Sequence, residues 1–161
     1  MSGIVRGAYK IHYVGEDLEA DNGGIIMASM KAKKGNPFER LVAYNLQELG
    51  YEVNRIDDNT AGVDLIAKDD YFTYYIECKH HKGFTWNALT KIFHKTDEIA
   101  LEAGVDGLLI FRANNQPVCI MYYNRHYERI EVTTFTQYFR QFLRTEPEWK
   151  TPPKGYKVWE K

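Results

Sequence analysis

An acidic residue followed by a Glu-x-Lys triplet is the feature of this sequence best suited to chemistry. Residues 75–79 read YIECK, and strand alternation predicts that Glu77 and Lys79 project from one face. Asp64 lies in the preceding apolar run, and a two-residue turn at residues 70–71 would set it directly opposite Glu77. Cβ atoms of opposed residues lie about 4.5–5.5 Å apart, so the two carboxylates could share one cation.

Two adjacent carboxylates repel one another unless a cation lies between them. Hard oxygen ligands favour Mg²⁺, with Mn²⁺ as a substitute, and the predicted ligands are Asp64, Glu77 and the backbone carbonyl of Cys78. Such an ion activates a bound water and offsets charge on phosphorus, while Lys79 orients the water or stabilises the transition state. The pattern indicates phosphodiester hydrolysis, provided that the register holds, because a slip of one residue moves Asp64 to the other face.

Each part of this pattern also has an ordinary explanation. A Glu-x-Lys triplet on a strand is common as a solvated surface ion pair, and Asp64 alone could be a polar residue near a turn. The combination is more informative, because a helix, an acidic residue, a hairpin of suitable length and the triplet occur in one order. This order favours a nuclease site.

The element before these strands is a predicted helix at residues 37–49. Asn36 is a suitable N-cap, Pro37 suits the first helical position, and Glu39 completes a start that resembles a capping box. Apolar residues then recur at helical spacing up to Gly50, which suits a left-handed residue after the helix.

The remaining elements are predicted from alternating and helical apolar patterns. Further helices are expected at residues 86–103 and 134–144. Strands are expected at residues 51–56, 63–68, 71–79, 107–111, 118–123 and 127–132. The first three form an antiparallel meander, and the helical crossover before the fourth gives it a parallel neighbour. The predicted fold class is α/β, with a mixed central sheet flanked by helices.

At this point the residues resemble a known family. Gly62-Val63-Asp64 followed by Glu77-Cys78-Lys79 resembles the PD-(D/E)xK nuclease superfamily, with Val63 in place of the proline that names the motif. Glu39 in a helix after a basic segment, and Thr60 in the loop before the Gly-x-Asp, resemble the archaeal and phage type of Holliday junction resolvase. The resemblance covers about residues 31–123 and implies a restriction-endonuclease-like αβββαβ core.

The resemblance also assigns roles to individual residues. It implies that Asp64 and Glu77 bind metal, that Lys79 assists the water that attacks the phosphate, and that Glu39 completes the acidic site. It implies further that Thr60 lies near the scissile phosphate. The substrate that follows from it is DNA, in the form of four-way junctions or other branched molecules.

The overall charge does not by itself indicate a nucleic-acid binder, because 21 Lys and Arg residues are balanced by 22 Asp and Glu residues. Placement of charge is more informative. The densest basic cluster, either a DNA-backbone contact or a solvated linker, consists of Lys31, Lys33, Lys34 and Arg40. Three residues after the catalytic strand are expected at the rim of a DNA site, namely His80, His81 and Lys82. Phe84 and Trp86 could stack on bases, although anchoring the second helix in the core is favoured.

Length and composition suggest one domain spanning residues 1–161. The resemblance implies that it is a nuclease domain with an N-terminal arm (1–30), a catalytic core (31–123) and a C-terminal extension (124–161). Cys78 and Cys119 are expected to be buried, reduced thiols. Neither a secretory signal nor an apolar run that could span a membrane is visible, so a cytoplasmic location is expected, including a host cytoplasm for a phage or viral protein.

Functions of different classes remain open. The first is a structure-selective endodeoxyribonuclease acting on branched DNA as a homodimer, because a four-way junction presents paired scissile phosphates to a twofold enzyme. The second is another nuclease of the same superfamily, of restriction, repair or exonuclease type. The third is a catalytically silent DNA-binding module. Phe135, Tyr138, Phe139 and Phe142 of the last helix could contribute to a dimer interface or complete the core.

Overall fold

The computed structural model describes residues 36–56, 62–143 and 147–159. Within these ranges three helices occur, α1 (Pro37–Glu48), α2 (Trp86–Glu102) and α3 (Phe135–Arg140). The strands of the same ranges are β1 (Glu52–Arg55), β2 (Leu65–Lys68), β3 (Thr73–His81), β4 (Asp106–Ala113), β5 (Cys119–Asn124) and β6 (Arg129–Thr134). The predicted N-terminal arm, Lys31, Lys33, Lys34 and Thr60 lie outside the described residues.

The six strands form one sheet in the order in which they occur along the chain. Strands β1, β2 and β3 pair antiparallel, as do β4, β5 and β6. The pairing of β3 with β4 is parallel, and α2 makes the crossover between them. The predicted α/β class, with a mixed sheet and an antiparallel meander before the crossover, is confirmed.

The start of α1 follows from its first residues. The side-chain oxygen of Asn36 accepts hydrogen bonds from the backbone N–H groups of Phe38 (3.0 Å) and Glu39 (3.2 Å). These bonds satisfy two of the N–H groups that a helix start leaves without an intrahelical partner. After α1 the chain turns through Gly50, whose φ of +98° favours glycine. Both predicted ends of this helix are therefore confirmed to within one residue.

The sheet carries a hydrophobic core on each face. Alternate residues of β4 enter different cores, with Leu108 and Ile110 in one and Leu109 and Phe111 in the other. The first core contains residues of α1 and α3, and the second contains residues of α2. Because helices cover both faces of the sheet at β4, both sides of this strand are buried, which explains its continuous apolar run.

Two predicted strand boundaries are wrong in a way that bears on the site. Strand β2 begins at Leu65, so Val63 and Asp64 precede it instead of belonging to it. Strand β3 continues to His81, because its parallel pairing with β4 extends as far as the pair His81 and Ala113. The two histidines therefore belong to the strand and do not follow it.

The last predicted helix is also shorter than expected. Helix α3 ends at Arg140, after which Phe142 and Leu143 donate backbone hydrogen bonds to residues three positions earlier, as in tight turns. Phe135 and Phe139 are fully buried in the first core, whereas Phe142 remains 42% exposed. Most of the apolar face of this helix thus completes the core of its own chain.

Cys78 and Cys119 are buried and unbridged, as predicted. None of the helices in the described part of the chain is long and apolar enough to span a membrane.

Candidate active site

The hairpin of β2 and β3 fixes the relative positions of the predicted site residues. Leu65 pairs with Ile76, which is the register expected from a two-residue turn. Asp69 closes this turn, because its side-chain oxygen accepts hydrogen bonds from the N–H groups of Tyr71 (2.8 Å) and Phe72 (2.7 Å). The predicted register is confirmed, and it places the residue before Leu65 across from the residue after Ile76.

Asp64 is held against β3 by both its backbone and its side chain. Its N–H donates to the carbonyl of Ile76 at 2.7 Å, and its Oδ2 accepts a hydrogen bond from the N–H of Cys78 at 2.8 Å. The carbonyl of Asp64 accepts a further bond from the N–H of Ile56 at 2.9 Å. These three bonds fix the carboxylate beside the segment of β3 that carries Glu77.

The approach to Asp64 depends on a glycine and on a buried threonine of α2. Gly62 has a φ of +99°, and a Cβ placed on it would lie 3.0 Å from Cδ1 of Ile99 and 3.3 Å from Cγ of Lys95. The carbonyl of Gly62 accepts a hydrogen bond of 2.6 Å from the hydroxyl of Thr96, which is fully buried. Helix α2 therefore anchors the segment before Asp64. The sequence offered one sign of this role, a polar residue on the apolar face of the helix.

Glu39 joins this cluster from the first turn of α1. It is 8% exposed, and its Oε1 lies 3.5 Å from Nε of Arg55 on β1. Burial and the negative charge of Asp64, opposed by Arg55, together raise the pKa of Glu39 to about 7. The carboxyl groups of Glu39 and Asp64 lie within hydrogen-bonding reach of each other. Arg55 was not among the residues predicted from sequence, because it belongs to no motif.

Glu77 and Lys79 project together from β3, as strand alternation predicts. Nζ of Lys79 lies 3.3 Å from Oε2 of Glu77. The other oxygen, Oε1, is buried and accepts no hydrogen bond from the described residues. Burial and the charge of Asp64 raise the pKa of Glu77 to about 7, although Lys79 lowers it. Burial also raises the pKa of Asp64, against the opposing effects of the Cys78 N–H and Lys79.

Three carboxyl groups, the ammonium group of Lys79 and the guanidinium group of Arg55 thus converge at the end of the β2–β3 hairpin. Together they hold more negative than positive charge in a poorly hydrated place, so either protons or a cation must compensate. Hard oxygen donors and a buried acceptor without a donor, Oε1 of Glu77, fit a divalent cation of the Mg²⁺ type. Asp64 and Glu77 are the residues that would hold it.

The carboxyl groups do not form a finished cation cage in this arrangement. In the described ranges no group of three or more His, Cys, Asp or Glu side chains has the spacing of a metal site. One oxygen of Asp64 faces the Cys78 N–H, and one oxygen of Glu77 faces Lys79.

The expected rim residues differ in their exposure. Arg40, His80 and Lys82 are exposed, whereas His81 is partly buried and its ring lies 4.9 Å from that of Phe84. Phe84 is fully buried in the second core, and Trp86 packs against that core. The expectation that these two aromatic residues anchor α2 is confirmed.

A cavity of about 550 Å³ lies away from the acidic cluster, at the end of the sheet where β3 and β4 begin. Its walls include Phe72, Tyr74, Asp97, Asp106, Tyr122 and Phe142. None of Glu39, Asp64, Glu77 or Lys79 contributes to it.

The segment that carries the acidic cluster is similar to a nuclease family. Residues 30–93 match the Mrr_cat family model, which is described as restriction endonuclease. This segment contains Glu39, Asp64, Glu77 and Lys79. This match confirms the predicted resemblance to the PD-(D/E)xK nucleases over the segment that carries the acidic cluster.

Among solved structures, one similar chain is Hjc, a Holliday junction resolvase of the archaeal hyperthermophile Archaeoglobus fulgidus. The identity is 16%, the TM-score is 0.42, and the match covers 65% of this chain and 87% of that chain. A comparison with curated proteins finds no match.

Proposed function

We propose that this protein is a metal-dependent, structure-selective endodeoxyribonuclease that hydrolyses phosphodiester bonds in branched DNA, as a Holliday junction resolvase does. The observation that carries the proposal is the convergence of Glu39, Asp64, Glu77 and Lys79 in the segment that matches a restriction endonuclease family. The cluster holds three carboxyl groups against one lysine and one arginine, and a hydrolytic metal site needs such an excess of negative charge.

The proposed cofactor is Mg²⁺, with Mn²⁺ as a substitute, held by Asp64, Glu77 and the backbone carbonyl of Cys78. When bound, the ion would lower the pKa of a water and offset negative charge on the phosphate. Lys79 lies 3.3 Å from Glu77, so its ammonium group can orient the attacking water or donate to a phosphate oxygen. Glu39, with a pKa of about 7, can accept a proton at neutral pH.

DNA would approach the end of the hairpin, where exposed basic residues are neighbours in sequence of Glu39 and Lys79. Arg40 follows Glu39 on α1, and His80 and Lys82 follow Lys79. Contacts from such residues to phosphates would position the duplex without reading its sequence. His81, Lys31, Lys33 and Lys34 are proposed as further DNA contacts, and Thr60 as a neighbour of the scissile phosphate. We propose a cytoplasmic location for this activity.

The choice of branched DNA rests on Glu39 and Thr60, whose positions resemble those of the junction resolvases. A twofold enzyme suits a junction with two scissile phosphates, so we propose a homodimer. Light scattering at micromolar concentration should give twice the chain mass of 18.8 kDa, and a monomer mass would count against this part of the proposal.

The function can be tested with a labelled four-way junction and a linear duplex of the same arm sequence. We expect paired nicks in the junction with Mg²⁺ or Mn²⁺, little cleavage of the duplex, and none with EDTA. Equal cleavage of both substrates would contradict the resolvase hypothesis and would favour another nuclease of the superfamily. If the protein bound DNA but cleaved neither substrate with any of several divalent ions, the result would favour a catalytically silent DNA-binding module.

A further inference from the structure

The segment comprising residues 147–159, here named the strap, lies along α1 and is fixed to it by hydrogen bonds. Asn45 donates from Nδ2 to the carbonyl of Lys150 at 2.9 Å and accepts from the N–H of Lys150 at 2.7 Å. Gln47 donates to the carbonyl of Val158 at 3.2 Å. Asn45 is itself buried, so this paired contact satisfies polar groups that would otherwise be costly to desolvate.

The first aromatic residue of the strap packs beside the active-site end of α1. The ring of Trp149 lies 5.0 Å from that of Phe135 and 6.5 Å from that of Phe38. Phe38 immediately precedes Glu39, and its ring lies 5.4 Å from that of His80. Trp149 therefore supports the turn of α1 from which Glu39 projects.

The last aromatic residue of the strap contacts the cation that pairs with Glu39. The guanidinium carbon of Arg55 lies 5.8 Å from the ring centroid of Trp159, at a distance typical of cation–π contacts. Nε of the same arginine lies 3.5 Å from Oε1 of Glu39. Trp159, Arg55 and Glu39 thus form a continuous series of contacts that ends in the acidic cluster.

This series matters because an arginine has many rotamers. Without the contact to Trp159 more of these rotamers would be open to Arg55, and the free energy needed to hold the side chain in one orientation is largely entropic. A planar guanidinium group stacked on an indole loses part of that freedom, so fewer rotamers compete with the one that faces Glu39. Glu39 in turn is buried beside Asp64, where an ordered counter-charge limits how far its carboxylate can move.

We infer that Trp159, at the end of the strap, is a positioning residue of the active site, which orders Arg55 so that Arg55 holds the Glu39 carboxylate against Asp64. The inference rests on the proposed function. The inference extends that function, because residues far along the chain, outside the segment that matches the nuclease family, set the geometry of the catalytic carboxylates.

The experiment compares three variants of the full chain. Trp159→Ala removes the stacking surface, and Trp159→Phe restores a smaller aromatic one. Tyr156→Ala is the matched control, because Tyr156 contacts Tyr44 and Gln47 of α1 and belongs to the same strap. The readouts are kcat and KM for junction cleavage in Mg²⁺, the melting temperature, and the ¹⁵N signal of the Arg55 Nε–H with its rate of exchange with water.

In Trp159→Ala we expect kcat to fall about tenfold while KM changes less than about twofold, because misplacement of a catalytic group lowers turnover more than binding. The Arg55 Nε–H should exchange faster with water in this variant, and Trp159→Phe should recover part of both effects. Tyr156→Ala should lower the melting temperature without changing kcat or the Arg55 signal.

An unchanged kcat and an unchanged Arg55 signal in Trp159→Ala would overturn the inference. So would an equal fall of kcat in Tyr156→Ala, because the strap would then act only through overall stability. If the wild-type protein cuts no DNA, the proposed function fails. The Arg55 signal still decides whether Trp159 orders this arginine, and an unchanged signal would end the inference on its own.

Discussion

Oδ2 of Asp64 accepts a hydrogen bond from the backbone N–H of Cys78 at 2.8 Å, which ties the residue before β2 to the middle of β3. The bond turns the carboxylate toward the strand that carries Glu77. A backbone N–H can donate equally well to the oxygen of an amide, so the position of the side chain does not depend on its charge. Substitution of Asp64 by Asn therefore separates charge from geometry.

In Asp64→Asn the hydrogen bond to Cys78 can persist, while one negative charge leaves the cluster. We expect cleavage in Mg²⁺ to fall by several orders of magnitude, because a lost metal ligand removes both water activation and charge compensation. DNA affinity in Ca²⁺ should stay the same or increase, since the site repels phosphates less. Loss of a buried charge should also make the metal-free protein more stable, so activity and stability change in opposite directions.

The matched control is Asp97→Asn, which removes a partly buried carboxylate in the cavity that contains no residue of the acidic cluster. Burial raises the pKa of Asp97 too, so the two substitutions are similar in kind but differ in place. Cleavage by Asp97→Asn should remain close to that of the wild type. A folded Asp64→Asn protein with wild-type cleavage, checked by circular dichroism, would end the proposed mechanism.

Lys79→Ala tests whether the lysine serves the reaction or only the fold. We expect kcat to fall about 10²–10³-fold, as for removal of one preorganised donor at a developing charge. Mn²⁺ affinity, measured by calorimetry at pH 8, should be unchanged or higher, because the ammonium group 3.3 Å from Glu77 repels a bound cation. A parallel loss of Mn²⁺ affinity and kcat would instead assign Lys79 to the support of Glu77.

Much of the fold and part of the site could be predicted because local patterns determine them. A two-residue turn and the alternation of apolar residues leave a single register for β2 and β3, and that register brings Asp64 to Glu77. The side chain of Asn36 starts α1 through bonds to residues two and three positions later. Such short-range determinants can be read from a window of a few residues.

Contacts between distant segments could not be predicted in this way. Asn45 and Lys150 are separated by 105 positions, and the strap has no periodic apolar pattern that would mark its partner. Arg55 lies on a short strand whose sequence, EVNR, gives no sign of a contact with Glu39. Tertiary packing selects these pairs, so they became visible only when the elements were assembled.

The raised pKa values predict how the stability of the metal-free protein depends on pH. Folding raises the pKa of Glu39 and of Glu77 from an ordinary 4.5 to about 7. Their protonated forms therefore favour the folded state, and this contribution is complete below about pH 4.5 and lost as pH rises through about 7. From pH 5.5 to 8.5 we expect the free energy of unfolding in EDTA to fall by about 1–3 kcal/mol.

Urea unfolding at several pH values measures this change. Glu77→Gln should flatten the dependence, because one of the two titrating groups is gone. Saturating Mg²⁺ at pH 8.5 should restore stability, since an ion bound only to the folded state stabilises it. Stability that rises with pH over this range would contradict the assignment of raised pKa values to the cluster.

Gly62→Ala tests the anchoring of the segment before Asp64. A φ of +99° is unfavourable for alanine, and the new Cβ would lie 3.0 Å from Cδ1 of Ile99 and 3.3 Å from Cγ of Lys95. We expect a loss of about 1–3 kcal/mol in the free energy of unfolding.

Gly50→Ala is the control, because its φ of +98° imposes a similar strain with no atom within 4 Å of the added Cβ. Gly62→Ala should also lose cleavage activity under conditions in which it is fully folded, because displacing the carbonyl that accepts from Thr96 moves Asp64, two residues away. Gly50→Ala should lose stability alone, and equal kcat values for the two folded variants would show that α2 does not position Asp64.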